Sequence, residues 1–456
     1  MNTQNKFNRR DAIKAMGTVG AFSFLSTSAH ASPKLSQPST HKKVKIVIAG
    51  GGTGGMIAAA RLRRSAPNAD ITLISPNKTH LYQSGQMFVA AGLYTQEENE
   101  RATSELLEDN VKWLQESVIA FYPQKNALTT DKSGTITYDY LVVALGVEYN
   151  FEAIDGLSKE MIGKNGIASV YMNDTLKGSA TGGDITNQWF KEIHSHAQTK
   201  KTKILCSEPN TPIKGVGTSL DILLLGNDIF RGKGPFSKAN VVNNIEFGFA
   251  KPDSTLFPFA KFNTVIEKII KNEKNITPLY EHQLKAVDAK NRIATFVSNN
   301  KTITLPYDFL HVVPPMQPPK VFRDSPLAFK DGKHKGYMNV NAKTLQHKEY
   351  KNVFGLGDIL GIPLGKTGGS AQAQAVIIQD NLAAAIENKP LPMEYNGYTV
   401  SPIKTKFGEV LLAEFNQKKA LPTFWINPYK PRWIWWELDL HVTRKAYFSL
   451  MMRGMM

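Results

Sequence analysis

After a polar stretch from Ser32 to Lys43, the chain turns apolar at Val44-Lys45-Ile46-Val47-Ile48-Ala49, a short run that reads as a buried strand. Glycines follow at once, Gly50-Gly51-Gly52-Thr53-Gly54-Gly55, and a helix is expected from Met56 to Ser65. Ala69-Asp70-Ile71-Thr72-Leu73-Ile74 supplies the next strand and completes a βαβ unit. A further apolar run, Tyr138 to Leu145, ends in Gly146 and closes the first half of this domain. Lys203 to Cys206, Asn244 to Ala250 and Phe309 to Val313 are strand-like and belong to an inserted second α/β domain. From Val353 the pattern returns to the first domain, with a helix from about Ser370 to Glu387. The expected division is 44–150 and 350–390 for the first domain, 151–349 for the second, and 391–456 for a C-terminal region.

The length of 456 residues suits two α/β domains plus an extension. The content, 42% hydrophobic and 21% charged, is that of a soluble globular protein. No apolar run of roughly eighteen residues predicts a transmembrane span. At the N-terminus, Arg9-Arg10-Asp11 precedes an apolar stretch from Ala12 to Leu25 and then Ala29-His30-Ala31, the order of a signal peptide over 1–31 followed by a linker over 32–43. The paired arginines predict twin-arginine export, a route that carries proteins already folded around a cofactor, and hence a periplasmic location. An amphipathic N-terminal helix is the structural alternative. Cleavage would remove four basic residues and Asp11, so the remainder would keep +13 of the formal +16. Such a charge favours anionic lipid, acidic partners or anionic substrates, and no nucleic-acid motif accompanies it. The single cysteine, Cys206, excludes any intramolecular disulfide.

Gly50, Gly52 and Gly55 fit G-x-G-x-x-G between a strand and a helix, the place where a dinucleotide pyrophosphate meets a helix N-terminus. Thr53 and Gly54 belong to the same loop. Ser75 ends the second strand where a carboxylate usually holds the ribose, and its hydroxyl makes a weaker hydrogen bond. Val353-Phe354-Gly355-Leu356-Gly357-Asp358 is a strand ending in Gly-Asp, whose Asp358 would reach ribityl hydroxyls, and Ala144-Leu145-Gly146 is the third turn of the set. Three separated motifs in this order predict FAD. The second domain offers only Gly215-Val216-Gly217-Thr218-Ser219-Leu220, which lacks the third glycine, so a nicotinamide partner is not expected.

Several further segments resemble the sulfide:quinone oxidoreductases, especially the branch with the animal mitochondrial enzyme, and more distantly the flavoprotein subunit of flavocytochrome c sulfide dehydrogenase. They are His80-Leu81-Tyr82-Gln83, Pro209-Asn210-Thr211-Pro212-Ile213-Lys214, Leu310 to Met316, Thr344-Leu345-Gln346-His347, Gly365-Lys366-Thr367-Gly368 and Ile403 to Phe415. The resemblance implies an α/β fold with two Rossmann-like domains of the pyridine nucleotide-disulfide oxidoreductase type, extended FAD, and two-electron transfer to a membrane quinone. It adds Gln83 and Thr367 to the cofactor-binding set. Lys366 falls at the family's Lys-Thr beside the flavin, where a cation stabilises negative charge, so it is the candidate catalytic residue; a solvated lysine at a helix start is its structural alternative. No metal ligand set is expected.

The departures from the family pattern concern sulfur. Sulfide-oxidising members place one redox cysteine directly after the Pro-x-x-Pro-x-Lys segment and one directly after Gly-Asp; here those positions hold Gly215 and Ile359. Neither forms a thiolate or a disulfide. Cys206 lies nine residues before Gly215 at a strand end and reads as a small buried hydrophobe. With no cysteine near Tyr82, FAD is expected to be non-covalent. The electron donor is then a small reductant, sulfide or another. A c-type cytochrome is the alternative acceptor, and a non-catalytic FAD-binding protein the alternative role. From Pro428 onward aromatic, cationic and long apolar residues alternate, among them Trp433, Trp435, Trp436, Arg444 and Phe448. This predicts an amphipathic membrane-binding segment with its tryptophans at headgroup level, against the alternative of a core or dimer helix.

Overall fold

The computed structural model describes residues 39–173, 181–421 and 426–456. The leader over 1–31 and most of the linker lie outside the described residues. The apolar run after the linker forms β1 (Lys45–Ala49), and α1 (Thr53–Ser65) and β2 (Asp70–Ile74) follow. The helix starts three residues ahead of expectation because Gly52 already serves as its N-cap, and Thr53-Gly54-Gly55 is carried into the first turn despite poor helix propensity. A short helix, α2 (Gln86–Ala90), and strands β3 (Val111–Leu114) and β4 (Tyr140–Val143) complete this part. β2 and β4 flank β1 in parallel, so Ile48 pairs with both Leu73 and Val142. All three are fully buried, as continuous apolar strands covered on both faces must be.

The second sheet is also parallel. Its strands are β5 (Ile167–Ala168), β6 (Thr202–Ser207), β7 (Ile245–Lys251), β8 (Ile276–Tyr280) and β9 (Phe309–Val312), in spatial order β5-β9-β6-β7-β8. Helices α3 (Gly182–Ala197), α4 (Thr218–Asp228) and α5 (Ala260–Lys271) connect them. α5 shows why the pattern works: Phe262, Ile266 and Ile270, four residues apart, are buried while Lys261, Lys268 and Lys271 face out.

The chain then returns to the first sheet, where β10 (Val353–Gly355) pairs with β4 and gives the order β10-β4-β1-β2-β3. α6 (Gly368–Ile386) packs against α1, and its N-terminus is capped by Thr367, whose side chain accepts the Ser370 N–H at 3.2 Å. A hairpin, β11 (Thr399–Lys406) and β12 (Glu409–Phe415), lies on α4 and on α7 (Trp433–Leu438). The C-terminal tryptophans call for a correction. Trp435 and Trp436 are each only 5% exposed, and Trp436 stands edge-on to Phe88 of α2 at 5.6 Å. Tyr447, Phe448 and Met452 are buried as well. Packing of α7 between β12 and α2 turns the aromatic face inward, leaving Trp433 as the exposed tryptophan of the segment. Among the described residues no helix is long and apolar enough to cross a membrane.

Candidate functional site

Between β1 and α1 each glycine meets a different steric demand. Gly50 has φ +110°, and a Cβ there would come within 2.3 Å of the Ala144 carbonyl oxygen. A Cβ on Gly55 would sit 1.8 Å from the Gly50 carbonyl oxygen, so helix and strand approach this closely only without a side chain. Gly52 has nothing within 4 Å of its Cβ position and faces open space. No side chain caps α1, and its first turn carries no acidic residue. The first N–H groups and the positive end of the helix dipole are thus left for an anion.

A cavity of about 860 Å³ opens in front of this loop, of the size that encloses cofactors. The expected residues converge on it. Gly50, Gly52, Thr53 and Gly54 come from the loop, and Ser75 from the end of β2. Gln83, Ala144 and Gly146 add further wall. Asp358 follows β10, and Lys366 and Thr367 precede α6. Gly55 is not on the wall; its part is the contact between helix and strand. Ser75 packs against Gly51, where an added Cβ would come within 2.7 Å of the Ser75 Oγ, so the serine sits this close only because position 51 has no side chain. Glu116 also lines the cavity but is committed elsewhere, accepting from Ser133 Oγ, the Ser133 N–H and Thr130 Oγ1.

Two lysines stand on the same wall. Lys366 Nζ donates to the carbonyl oxygens of Asp358 at 2.5 Å and Leu360 at 2.8 Å and lies 4.4 Å over the Tyr337 ring. Lys214 Nζ lies 4.8 Å over the Tyr149 ring. Burial lowers the pKa of each to about 8, partly offset by the charge of Asp358. The loop bearing Lys214 is held by the Leu310 to Met316 segment, since the Lys214 N–H points to Met316 Sδ at 3.3 Å and the Tyr171 hydroxyl donates to the Lys214 carbonyl at 2.9 Å.

Gly215 and Ile359, the two positions where the resemblance implies sulfur, flank this pair. The Gly215 N–H donates to the Lys366 carbonyl at 2.9 Å, which ties the two loops together. Gly215 has φ +69°, and a Cβ would meet Thr218 Oγ1 at 2.9 Å, so any side chain there is strained. Ile359 is fully buried. Cys206 is 1% exposed within β6, and burial pushes its thiol pKa well up, away from the reactive range.

In the second sheet the corresponding crevice is shut. The carboxyl ends of β6 and β7 bring Glu208 and Lys251 together at 2.5 Å, both buried, with the Ser219 hydroxyl also donating to Glu208. Space beside Glu208 amounts to about 30 Å³, room for one or two waters. Leu220, where the third glycine would stand, is 1% exposed.

Sequence reasoning did not find Tyr447. Its hydroxyl is 2.7 Å from both Thr53 Oγ1 and His80 Nε2, so the C-terminal segment reaches the glycine loop itself. Burial holds His80 down to about pKa 4, so its ring is a neutral hydrogen-bonding group. Lys214 did carry a signal, its place in the Pro-x-x-Pro-x-Lys segment; Tyr447 carried none. The uncapped helix over an open glycine, Asp358 near the β10 turn and the cavity size all fit FAD.

Residues 44–176 match the family model described as pyridine nucleotide-disulphide oxidoreductase. A mitochondrial sulfide:quinone oxidoreductase of Dictyostelium discoideum is 32% identical over 90% of this chain and 86% of its own length. Its Mus musculus counterpart is 31% identical over the same shares. The solved sulfide:quinone oxidoreductase of Aquifex aeolicus superposes with a TM-score of 0.68 at 21% identity, covering 89% of each chain.

Proposed function

The chain belongs to the sulfide:quinone oxidoreductase family, and from that premise we propose that it binds FAD non-covalently and passes two electrons from a small reductant to membrane quinone. The observation that carries this reading is one cavity lined by the uncapped helix loop, Asp358 and the two lysines Lys214 and Lys366. FAD, when bound, supplies the two-electron chemistry. Gly50, Gly52, Thr53 and Gly54 would hold its pyrophosphate, Ser75 its ribose and Asp358 its ribityl chain, with Gln83, Ala144, Gly146 and Thr367 completing the cradle. Lys366, fixed by two carbonyl oxygens and a ring, holds an ammonium where negative charge develops. Lys214 places a second cation on the same wall, which favours an anionic donor.

The donor reacts without a protein thiol, because Gly215 and Ile359 replace the two sulfurs and Cys206 is sealed in β6. Sulfide reacting at the cofactor itself, or another small reductant, meets that condition. The paired arginines of the leader support export to the periplasm. Exposed Trp433, beside Lys430 and Arg432, supports contact with anionic lipid on the outer face of the cytoplasmic membrane. A flotation assay with vesicles of anionic lipid tests this, since Trp433→Glu should lose binding without disturbing the buried aromatics.

The loss of both sulfur positions with the cofactor cradle kept also favours a second reading, a non-catalytic FAD-binding protein. Anaerobic mixing of the FAD-loaded protein with sulfide, sulfite, thiosulfate and NADH separates the two. Bleaching of the flavin by a sulfur donor and its return on adding a quinone analogue is the expected result. No bleaching by any donor would favour the binding role, and bleaching by NADH alone would overturn the donor assignment. A c-type cytochrome in place of quinone tests the alternative acceptor.

A further inference from the structure

Away from Lys366, the cavity wall carries three ionisable groups that no step above uses. Asp221 of α4, Lys404 of β11 and Asp439, just after α7, come from widely separated parts of the chain and are 4%, 3% and 5% exposed. Lys404 Nζ lies 3.4 Å from Asp221 Oδ2 and 3.1 Å from Asp439 Oδ2. Asp221 Oδ1 also accepts the backbone N–H of Lys404 at 2.7 Å, which fixes that carboxylate in place. The ammonium is cornered between the Pro402 carbonyl at 3.2 Å and the Phe88 ring at 5.1 Å. Asp439 Oδ2 receives no well-aligned hydrogen bond despite its burial. Asp439 also opens a π-helical stretch, Asp439–Thr443, a local widening that recurs at functional sites.

Burying three charges costs more than an apolar core of the same volume, so stability alone does not account for the cluster. Two carboxylates around one ammonium leave a net charge of −1, and one added proton makes the cluster neutral. We infer that Asp221, Lys404 and Asp439 hold and release a proton for the electron acceptor in this cavity, with Asp221 as the exchanging group. The inference rests on the reading that a quinone is that acceptor. Its reduction to the hydroquinone takes two electrons and two protons. With FAD bound, both electrons and one proton would come from its reduced form; Asp221 supplies the other proton, becomes a carboxylate paired with Lys404, and is recharged from solvent.

Burial raises the Asp221 pKa to about 6, with Lys404 pulling it down and Asp439 pushing it up. Other titratable groups around the cluster include Tyr171, after β5, Tyr82, which feels the Asp439 charge, and Tyr94, whose hydroxyl donates to the Leu440 carbonyl at 2.5 Å. Arg444 lies 4.3 Å over the Tyr94 ring and pairs with Glu98 at 3.0 Å. Asp221 lies within reach of the Lys404 and Asp439 charges, so an apparent pKa read from kinetics reflects those neighbours as well as Asp221 itself.

The test uses the full FAD-loaded protein, reduced anaerobically and then reoxidised by a short-chain quinone analogue across a pH range bracketing 6. Wild-type reoxidation should slow as pH rises through about 6. Asp221→Asn should flatten that limb and slow the step about a hundredfold at its acid end. Asp439→Asn should move the limb to lower pH, because it removes a negative charge that holds the proton on Asp221. FAD content and melting temperature report whether each variant is folded. An infrared titration of the oxidised wild type with labelled aspartate, which needs neither acceptor nor variant, should show a carboxylic-acid band growing in as pH falls through about 6. An unchanged pH profile in folded Asp221→Asn, or no such band in the wild type, would overturn the inference. Failure of every quinone to reoxidise the wild type while the band appears would instead remove the acceptor reading, and the proton's destination with it.

Discussion

The two five-stranded parallel sheets have the same order over four strands and end differently. At the carboxyl ends of β1, β2 and β4 the chain keeps glycines and a bare helix N-terminus, and a cavity of about 860 Å³ opens there. At the carboxyl ends of β6 and β7 it has placed a buried ion pair, Glu208 with Lys251, and the pocket beside Glu208 is only about 30 Å³. Crevices at strand carboxyl ends are where such sheets bind dinucleotides. Whether a sheet does so depends on a few side chains at that edge, and the second sheet here serves as a wall for the first: its loop after β6 delivers Lys214 and Gly215 to the cavity, and α4 delivers Asp221.

The strongest way to break the contrast is to close the open sheet. Gly55→Val puts a side chain where a Cβ already lies 1.8 Å from a carbonyl oxygen, forcing α1 off β1. FAD affinity, followed by quenching of flavin fluorescence, should fall by about 100-fold or more, equivalent to about 2.7 kcal/mol. The converse is to open the closed sheet, where the effect falls on stability rather than on cofactor affinity. Lys251→Met leaves Glu208 buried and unpaired and should cost about 3–5 kcal/mol in denaturant unfolding. The double variant Glu208→Leu with Lys251→Met should recover most of that loss. Neither should gain NADH binding, since Leu220 still fills the third-glycine position.

The smallest effect sharpens the open side. With pKa values near 8, Lys366 and Lys214 are ammonium groups below that pH and lose their charge as pH rises through it. Because these folded-state values are depressed, the cost of burying the two charges is fully present below about pH 8. It is relieved between there and the ordinary lysine value of about 10.4, so stability rises across that window. Flavin reduction should do the opposite, declining several-fold as pH passes 8, and Lys366→Arg should carry the plateau to higher pH because guanidinium stays charged. Stopped-flow reduction rates against pH check both statements.

How much of this was legible in the sequence follows the range of the interactions. β1, α1 and β2 could be read because glycine spacing and a short apolar run are local signals. The return of the chain at β10 could be read because Gly-Asp follows a strand. Gly215 and Ile359 were legible as departures from a family pattern, and their placement beside Lys366 gives that reading a location. Contacts between distant segments left no trace. Tyr447 reaches Thr53 and His80 across most of the chain, and Lys404 gathers Asp221 and Asp439 from separate elements. Trp435 and Trp436 were misread for a related reason: alternating aromatic and cationic residues look alike whether the face meets lipid or the body of the protein, and packing against α2 and β12 turns these two inward.

The most direct test of the account is the number and kind of dinucleotides the chain takes. Calorimetric titration of the cofactor-free full-length protein with FAD, and then of the FAD-loaded protein with NADH, should show one FAD per chain, released intact on denaturation, and no heat or flavin bleaching with NADH. Tight binding of NADH beside FAD would contradict the claim that one sheet is open and the other sealed.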